Sequence, residues 1–308
     1  MSESTTFDAR ELPFDPAAPL TPSGNLRRRL MVSRIAQGLA ITAALVAVAA
    51  LGLVLYTVIG NGAGALSLNF LVKDPPALGG PGGGIASAIV GTALIVGVGT
   101  VMATPVGVLV AIYLAEFAGP RSPPGRALRL ALDLMQGLPT IVVGLFVFGL
   151  LVKPEHTDSG FAGSVALAII MLPLIARSSQ EVLLLVPRGL REASDALGVE
   201  RWRSILTVVL PTALGGIVTG TIIAVARAAG ETAPLIVVDS LFTPATTLQL
   251  FGHPVPNIPV SIFTAAEAGD KSAFTRAWGE ALVLLALILA ANIGARVLLA
   301  RSRARMGG

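Results

Sequence analysis

Arg177 and Glu181, and again Arg227 and Glu231, stand four residues apart within long apolar stretches. On a helix, side chains at i and i+4 share a face, so each arginine can pair with its glutamate. A lone charge at mid-bilayer costs at least about 2.5–3.5 kcal/mol, so pairing or a wet cavity is required. Such pairs can lock a helix bundle, or they can line a pathway. As a pathway, the arginine fork of fixed donors suits a tetrahedral oxyanion. Two arginines on adjacent spans could strip water from a passing anion while the glutamates neutralise them in the empty site. A carboxylate there would also favour an anion that still carries a proton over a fully ionised one.

The elements that carry these charges belong in a membrane. Of 308 residues, 54% are hydrophobic and 13% charged, against about 25% charged in a soluble domain. The expected fold is an all-α polytopic membrane protein with six transmembrane helices, at 35–59, 85–115, 128–152, 161–185, 212–238 and 277–300. The second would be about 46 Å long as a helix, so it is expected to be tilted, broken near Pro105 or extended into the cytoplasm. Residues 1–34 read as a cytoplasmic tail, disordered through Leu26, and 35–59 as an uncleaved anchor. Arginines cluster before the first span, at 121–129, at 188–203 and after 296. The positive-inside rule then puts both termini in the cytoplasm.

Several chemistries are excluded by what is missing. The chain has no cysteine and two histidines, His156 and His253, which removes disulfides, thiolate metal sites and a histidine cluster. The lysines, Lys73, Lys153 and Lys271, sit in no phosphate-cradling loop, so any ATPase would be another polypeptide. No hydrolase or metal constellation suits a membrane-embedded enzyme. Asp133 reads as a surface partner of Arg129, and Glu116 with Arg121 as short-loop residues at the headgroups. Trp202 and Trp278 read as interfacial anchors, the run Gly79–Gly84 as an extracytoplasmic turn, and Asp239 and His253 as loop residues facing partner chains.

Between spans four and five, "PRGLREASDALGVERWRSILTVVLP" (187–211) predicts two short helices meeting at Gly198. Glu192-Ala193-Ser194, then Gly198, then Val208-Val209-Leu210-Pro211 resembles the EAA loop of binding-protein-dependent ABC importer permeases. Ser194 replaces the second alanine and Val208 the usual isoleucine. The resemblance implies a type I ABC importer permease core (MetI-like) over 85–300. It also implies that Glu192, Ala193, Ser194 and Gly198 dock into a cytoplasmic ATPase.

Three further stretches sharpen the likeness: "GGGIASAIVGTALIV", "LDLMQGLPTIVVGLFVFG" and "RAAGETAPL". Together they resemble the phosphate-specific ABC permeases, with Thr232-Ala233-Pro234-Leu235 favouring the PstA-type subunit. That resemblance implies a subunit of the bacterial inner membrane that catalyses no covalent chemistry and holds no cofactor. ATP and Mg would sit on a PstB-type ATPase dimer. A PstC-type second permease and an extracytoplasmic PstS-type phosphate-binding protein would complete the assembly, in a lipid bilayer and without nucleic acid. Arg177, Gln180, Glu181, Arg227, Glu231 and Thr232 would form the substrate pathway. Gln180 stands where this family often has an acid, and Glu181 follows about 100° around the helix. Two alternatives stay open: a permease for another oxyanion or small solute, and a gradient-driven transporter using the Arg–Glu pairs.

Overall fold

A computed structural model describes residues 24–75, 83–119, 122–240 and 248–306. No strand occurs among them. The chain divides into two units, residues 1–56 and 57–308. Helix α1 (Gly24–Gly62) begins upstream of the expected anchor at Ile35, so the described end of the expected tail is already helical. Within the first unit Ile35, Leu39, Leu45, Val48 and Leu53 are all exposed, as suits a helix whose solvent is lipid.

In the second unit, α2 (Leu68–Val72) is capped by Ser67, whose hydroxyl accepts from the Phe70 N–H. Helix α3 (Ala86–Ile112) runs through Pro105 without a break and widens into a π-helical turn at Tyr113–Phe117. Of the three geometries expected for this long segment, the break at Pro105 is thus overturned. Helix α7 (Gly160–Leu185) lies against α3 at very short range: a Cβ on Gly107 would come 2.9 Å from Cγ2 of Ile175. The core forms where these helices meet their neighbours, through Ile95, Ala103, Leu167, Met171 and Ile175, joined by Ala224 and Leu235.

The third expected span is not a straight helix. Helix α4 (Pro123–Gly137) and the segment from α5 (Thr140–Val147) to Glu155 are bent by 101° to each other. Proline 139 has no N–H to continue the ladder, and it pushes the preceding Leu138 into an extended conformation (φ −71°, ψ 133°). After α5 the chain passes a π-helical turn, Phe148–Val152, into α6 (Lys153–Glu155).

Beyond α7 come α8 (Arg188–Ala196), α9 (Arg201–Ser204) and α10 (Leu210–Ala228). The fifth expected span, 212–238, is also interrupted: α10 ends at Ala228, and α11 (Ala233–Val238) restarts after Gly230-Glu231-Thr232. Pro234 has no amide to reach back to Gly230, so that helical hydrogen bond is absent across the break, and the proline sits in the first turn of α11. Instead α11 seats Pro234 against Gly144 of α5, where a Cβ would meet the proline Cα at 2.8 Å. Helices α12 (Ile258–Glu267) and α13 (Lys271–Met306) close the fold. Five described helices are long and apolar enough to cross a bilayer, six if the bent pair counts as one.

The connection between α11 and α12 is held by a carboxylate that the sequence suggested was facing outward. Asp239 is buried at 1% exposure, its Oδ1 accepting from the Val255 N–H (2.7 Å) and its Oδ2 from Asn257 Nδ2 (3.2 Å). Asn257 in turn caps α12 through the Val260 N–H at 3.0 Å. The His253 carbonyl meets the Gly160 N–H at the start of α7. Most of the run Gly79–Gly84 lies outside the described residues.

Burial pushes the Asp239 carboxyl up from an ordinary 3.8 to about 8, against the two hydrogen bonds that favour its charged form. A folded-state pKa raised above the unfolded one contributes stability that is complete below the unfolded value and lost as pH rises through the folded value. Thermal stability in detergent should therefore fall as pH rises from about 4 to about 8, with a slope of at most about 1.4 kcal/mol per pH unit from this group. Asp239→Asn should flatten that slope.

Candidate functional site

The bend between α4 and α5 faces the middle of α7 and the end of α10. A cavity of about 150 Å³ opens there, lined by Gln136, Thr140 and Pro173 among apolar neighbours, with Arg227 at its edge. The Gln136 amide donates to the Pro173 carbonyl at 3.4 Å, fixing the last turn of α4 against α7. One turn further along both helices, the Arg177 guanidinium is ion-paired with Asp133, and its Nη2 also donates to the Arg129 carbonyl at 3.2 Å.

That pairing replaces two sequence expectations. Arg177 does not pair with Glu181, and Asp133 is no surface partner of Arg129 alone. Because α4 bends away at Pro139, its last two turns lie across α7 and bring Asp133 to the guanidinium. Glu181 is exposed and forms no ion pair among the described residues. Gln180 is half-buried.

The second pair is present in altered form. Arg227 Nε stands 3.7 Å from Glu231 Oε1, yet Glu231 lies in the break after α10. The Glu231 N–H donates to the Ala228 carbonyl at 3.1 Å, so the loop, not a helical face, sets the approach. The arginine side chain is 62% exposed and the glutamate 18%. Thr232 leads into α11 without capping it through its hydroxyl. Arg177 thus lies one turn of α7 beyond Pro173, which lines the cavity together with Arg227, and each arginine has a carboxylate beside it.

Sequence reading missed a third pair with the same spacing. Arg276 Nε lies 3.7 Å from Oε1 of Glu280, which is fully buried in α13. The i, i+4 signal was available there too, but Arg276 sat just outside the expected span. Gln136 and Thr140 carried no charge to mark them; only their place beside Pro139 could have done so.

Residues 103–304 match the family described as the binding-protein-dependent transport system inner membrane component. The chain belongs to that family. It is 35% identical over 97% of its length to the phosphate transport system permease protein PstA 1 of Mycobacterium tuberculosis (strain CDC 1551 / Oshkosh), covering 97% of that protein. To the PstA of Yersinia pestis it is 38% identical over 81% of the chain and 84% of the relative. Among solved structures, an inward-facing MetNI methionine ABC transporter shares the fold with a TM-score of 0.55 at 19% identity, covering 70% of this chain and 93% of that one. A bacterial alginate importer does so with a TM-score of 0.55 at 16% identity, over 85% and 98%.

In this permease the loop at 187–211 forms the two short helices expected. Gly198 ends α8 with φ +71°, a conformation that glycine adopts without strain. The Val199 N–H reaches back to the Ser194 carbonyl at 3.2 Å, closing the helix end. Glu192 and Ala193 are exposed, Ser194 is buried, and Leu197 at the corner is 82% exposed. Glu116, expected at the headgroups, is instead buried and ion-paired with Arg191 of α8 at 2.8 Å.

The Arg177–Asp133 contact can be separated from the discarded pairing by uptake. Asp133→Ala should lower anion uptake roughly tenfold at unchanged membrane expression, the loss of about one charge-assisted hydrogen bond. Glu181→Ala should leave uptake within about twofold of the unaltered permease, since an exposed carboxylate contributes little.

Proposed function

We propose that this permease forms half of a gate for inorganic phosphate, completed by a second, PstC-type permease chain. Phosphate would arrive from an extracytoplasmic PstS-type binding protein, and a PstB-type ATPase dimer carrying ATP and Mg would dock on the corner of α8 and α9.

One observation carries the reading. Arg227 sits at the end of an apolar span, yet its side chain is 62% exposed at the rim of a polar-edged cavity. Facing hydrocarbon would be costly for a guanidinium, which favours a cover of water, an anion or a partner chain. The curated relatives are phosphate permeases, and the chemistry suits that anion. Arginine supplies paired donors to two phosphate oxygens. Glu231 would accept a hydrogen bond from the P–O–H that phosphate keeps near neutral pH, whereas sulfate would meet only repulsion. Arg177, one turn along α7 and held by Asp133, offers the next cationic position; Gln180, Glu181 and Thr232 lie at the margins of this path.

The test is uptake of radiolabelled phosphate and sulfate in source cells lacking other phosphate importers. Arg227→Ala should abolish high-affinity phosphate uptake and leave sulfate uptake intact, with the permease still in the membrane. Glu231→Gln should shift the phosphate-to-sulfate ratio by about tenfold towards sulfate. Unchanged phosphate uptake in Arg227→Ala would leave the Arg–Glu pair as a structural tie and sink the reading.

A further inference from the structure

The covalent link between α7 and the corner at α8 is slight. Only Val186 and Pro187 join the two helices, both extended (φ −62°, ψ 126° and φ −57°, ψ 135°). Such a link alone would act as a hinge, and any push on α8 would be absorbed there.

Arg191 removes that freedom. It projects from α8 and donates from Nη1 to the carbonyl of Val186, the residue that caps α7 (2.6 Å), and from Nη2 to the Leu183 carbonyl (2.8 Å), which also accepts the Val186 N–H (3.3 Å). The same guanidinium donates from Nε and Nη2 to Oε1 of Glu116, at 3.2 and 2.8 Å. The glutamate side chain is 6% exposed and the arginine 23%. Glu116 belongs to the π-helical turn that ends α3, a deviation often found at functional positions. From the other arm of the corner, Arg201 of α9 donates to the Glu116 backbone carbonyl and lies 5.4 Å from the centre of the Phe117 ring. Both arms of the corner are therefore fastened to one turn of α3.

We propose that Glu116 is a positioning residue for transport: its carboxylate fastens Arg191 of α8 to the end of α3 while the same guanidinium holds the end of α7, so displacement of the corner moves these helices as one body. The close packing of Gly99 and Gly107 of α3 onto α7 carries that motion on, since a Cβ at either would come 2.9 Å from an α7 atom. From Leu185 at that end, α7 leads back through Arg177 to Pro173 at the cavity. The proposal rests on the reading of α8 and α9 as the ATPase-docking corner.

The experiment uses the assembled transporter, with both permeases and the ATPase, in liposomes supplied with phosphate-loaded binding protein. Three quantities are read: ATPase co-purified, ATP hydrolysed with and without the binding protein, and phosphate imported. Glu116→Gln keeps the side-chain volume and one acceptor oxygen. It should retain the ATPase at the usual ratio, continue to hydrolyse ATP, and import at least tenfold less phosphate per ATP, with hydrolysis no longer responding to the binding protein. Glu116→Asp, which keeps the charge, should recover part of that coupling. If Glu116→Gln does not reach the membrane, Arg191→Lys gives the same three readings.

Phosphate imported per ATP within twofold of the unaltered protein overturns the proposal. So does loss of the ATPase from the complex, because Glu116 would then merely shape the docking face. Leu197→Glu tests the underlying reading separately: it should strip the ATPase away. Retention there would overturn the docking corner itself, whatever Glu116→Gln does.

Discussion

An arginine on a membrane-spanning helix has to find its counter-charge inside the protein, because hydrocarbon offers none. Much of this permease is arranged around that requirement. Arg177 finds Asp133 on a different helix, and Arg276 lies beside the buried Glu280 one turn along its own. Arg227 has Glu231 nearby at 3.7 Å and yet stays largely open. Arg227 is the most exposed of the three, its side chain 62% open against 27% for Arg177 and 17% for Arg276.

The broken helices follow from the same solvent. A backbone that leaves the helix inside a bilayer must be covered by protein or border a wet cavity. Both breaks obey this. The bend at Leu138-Pro139 and the interruption at Gly230–Thr232 are brought together by the contact of Pro234 with Gly144. The cavity opens beside that contact, with the Gln136 amide engaged by the Pro173 carbonyl. Two prolines that would be defects in a simple span therefore make the local room for a polar site.

The two ends of the molecule are connected through α7. Its middle borders the cavity, and the carbonyls at its far end are held by Arg191 from the corner of α8 and α9. Close glycine contacts along α3 leave little room for the two helices to slide. The cavity and the corner thus border one packed pair of helices, the kind of physical continuity that coupling would need.

Much was legible in the sequence: the medium, the all-helical class, the arginines and acids inside the spans, and the two-helix corner at Gly198. These depend on composition, on the run length of apolar residues and on local turn chemistry, all of which act over a few neighbouring positions. Partner choice was not legible. The spacing of Arg177 and Glu181 permits a pair, but Asp133 wins because Pro139 turns α4 across α7, an event forty residues away in sequence that spacing cannot report. Asp239 and Glu116 looked like loop residues and proved to be buried ties, since burial depends on what folds over a segment and not on its own residues. The sequence by itself determined which residues carry charge, where helices must end and what medium surrounds them. Only the tertiary structure decided which charges meet and which one stays open, because those contacts join residues that the chain keeps far apart.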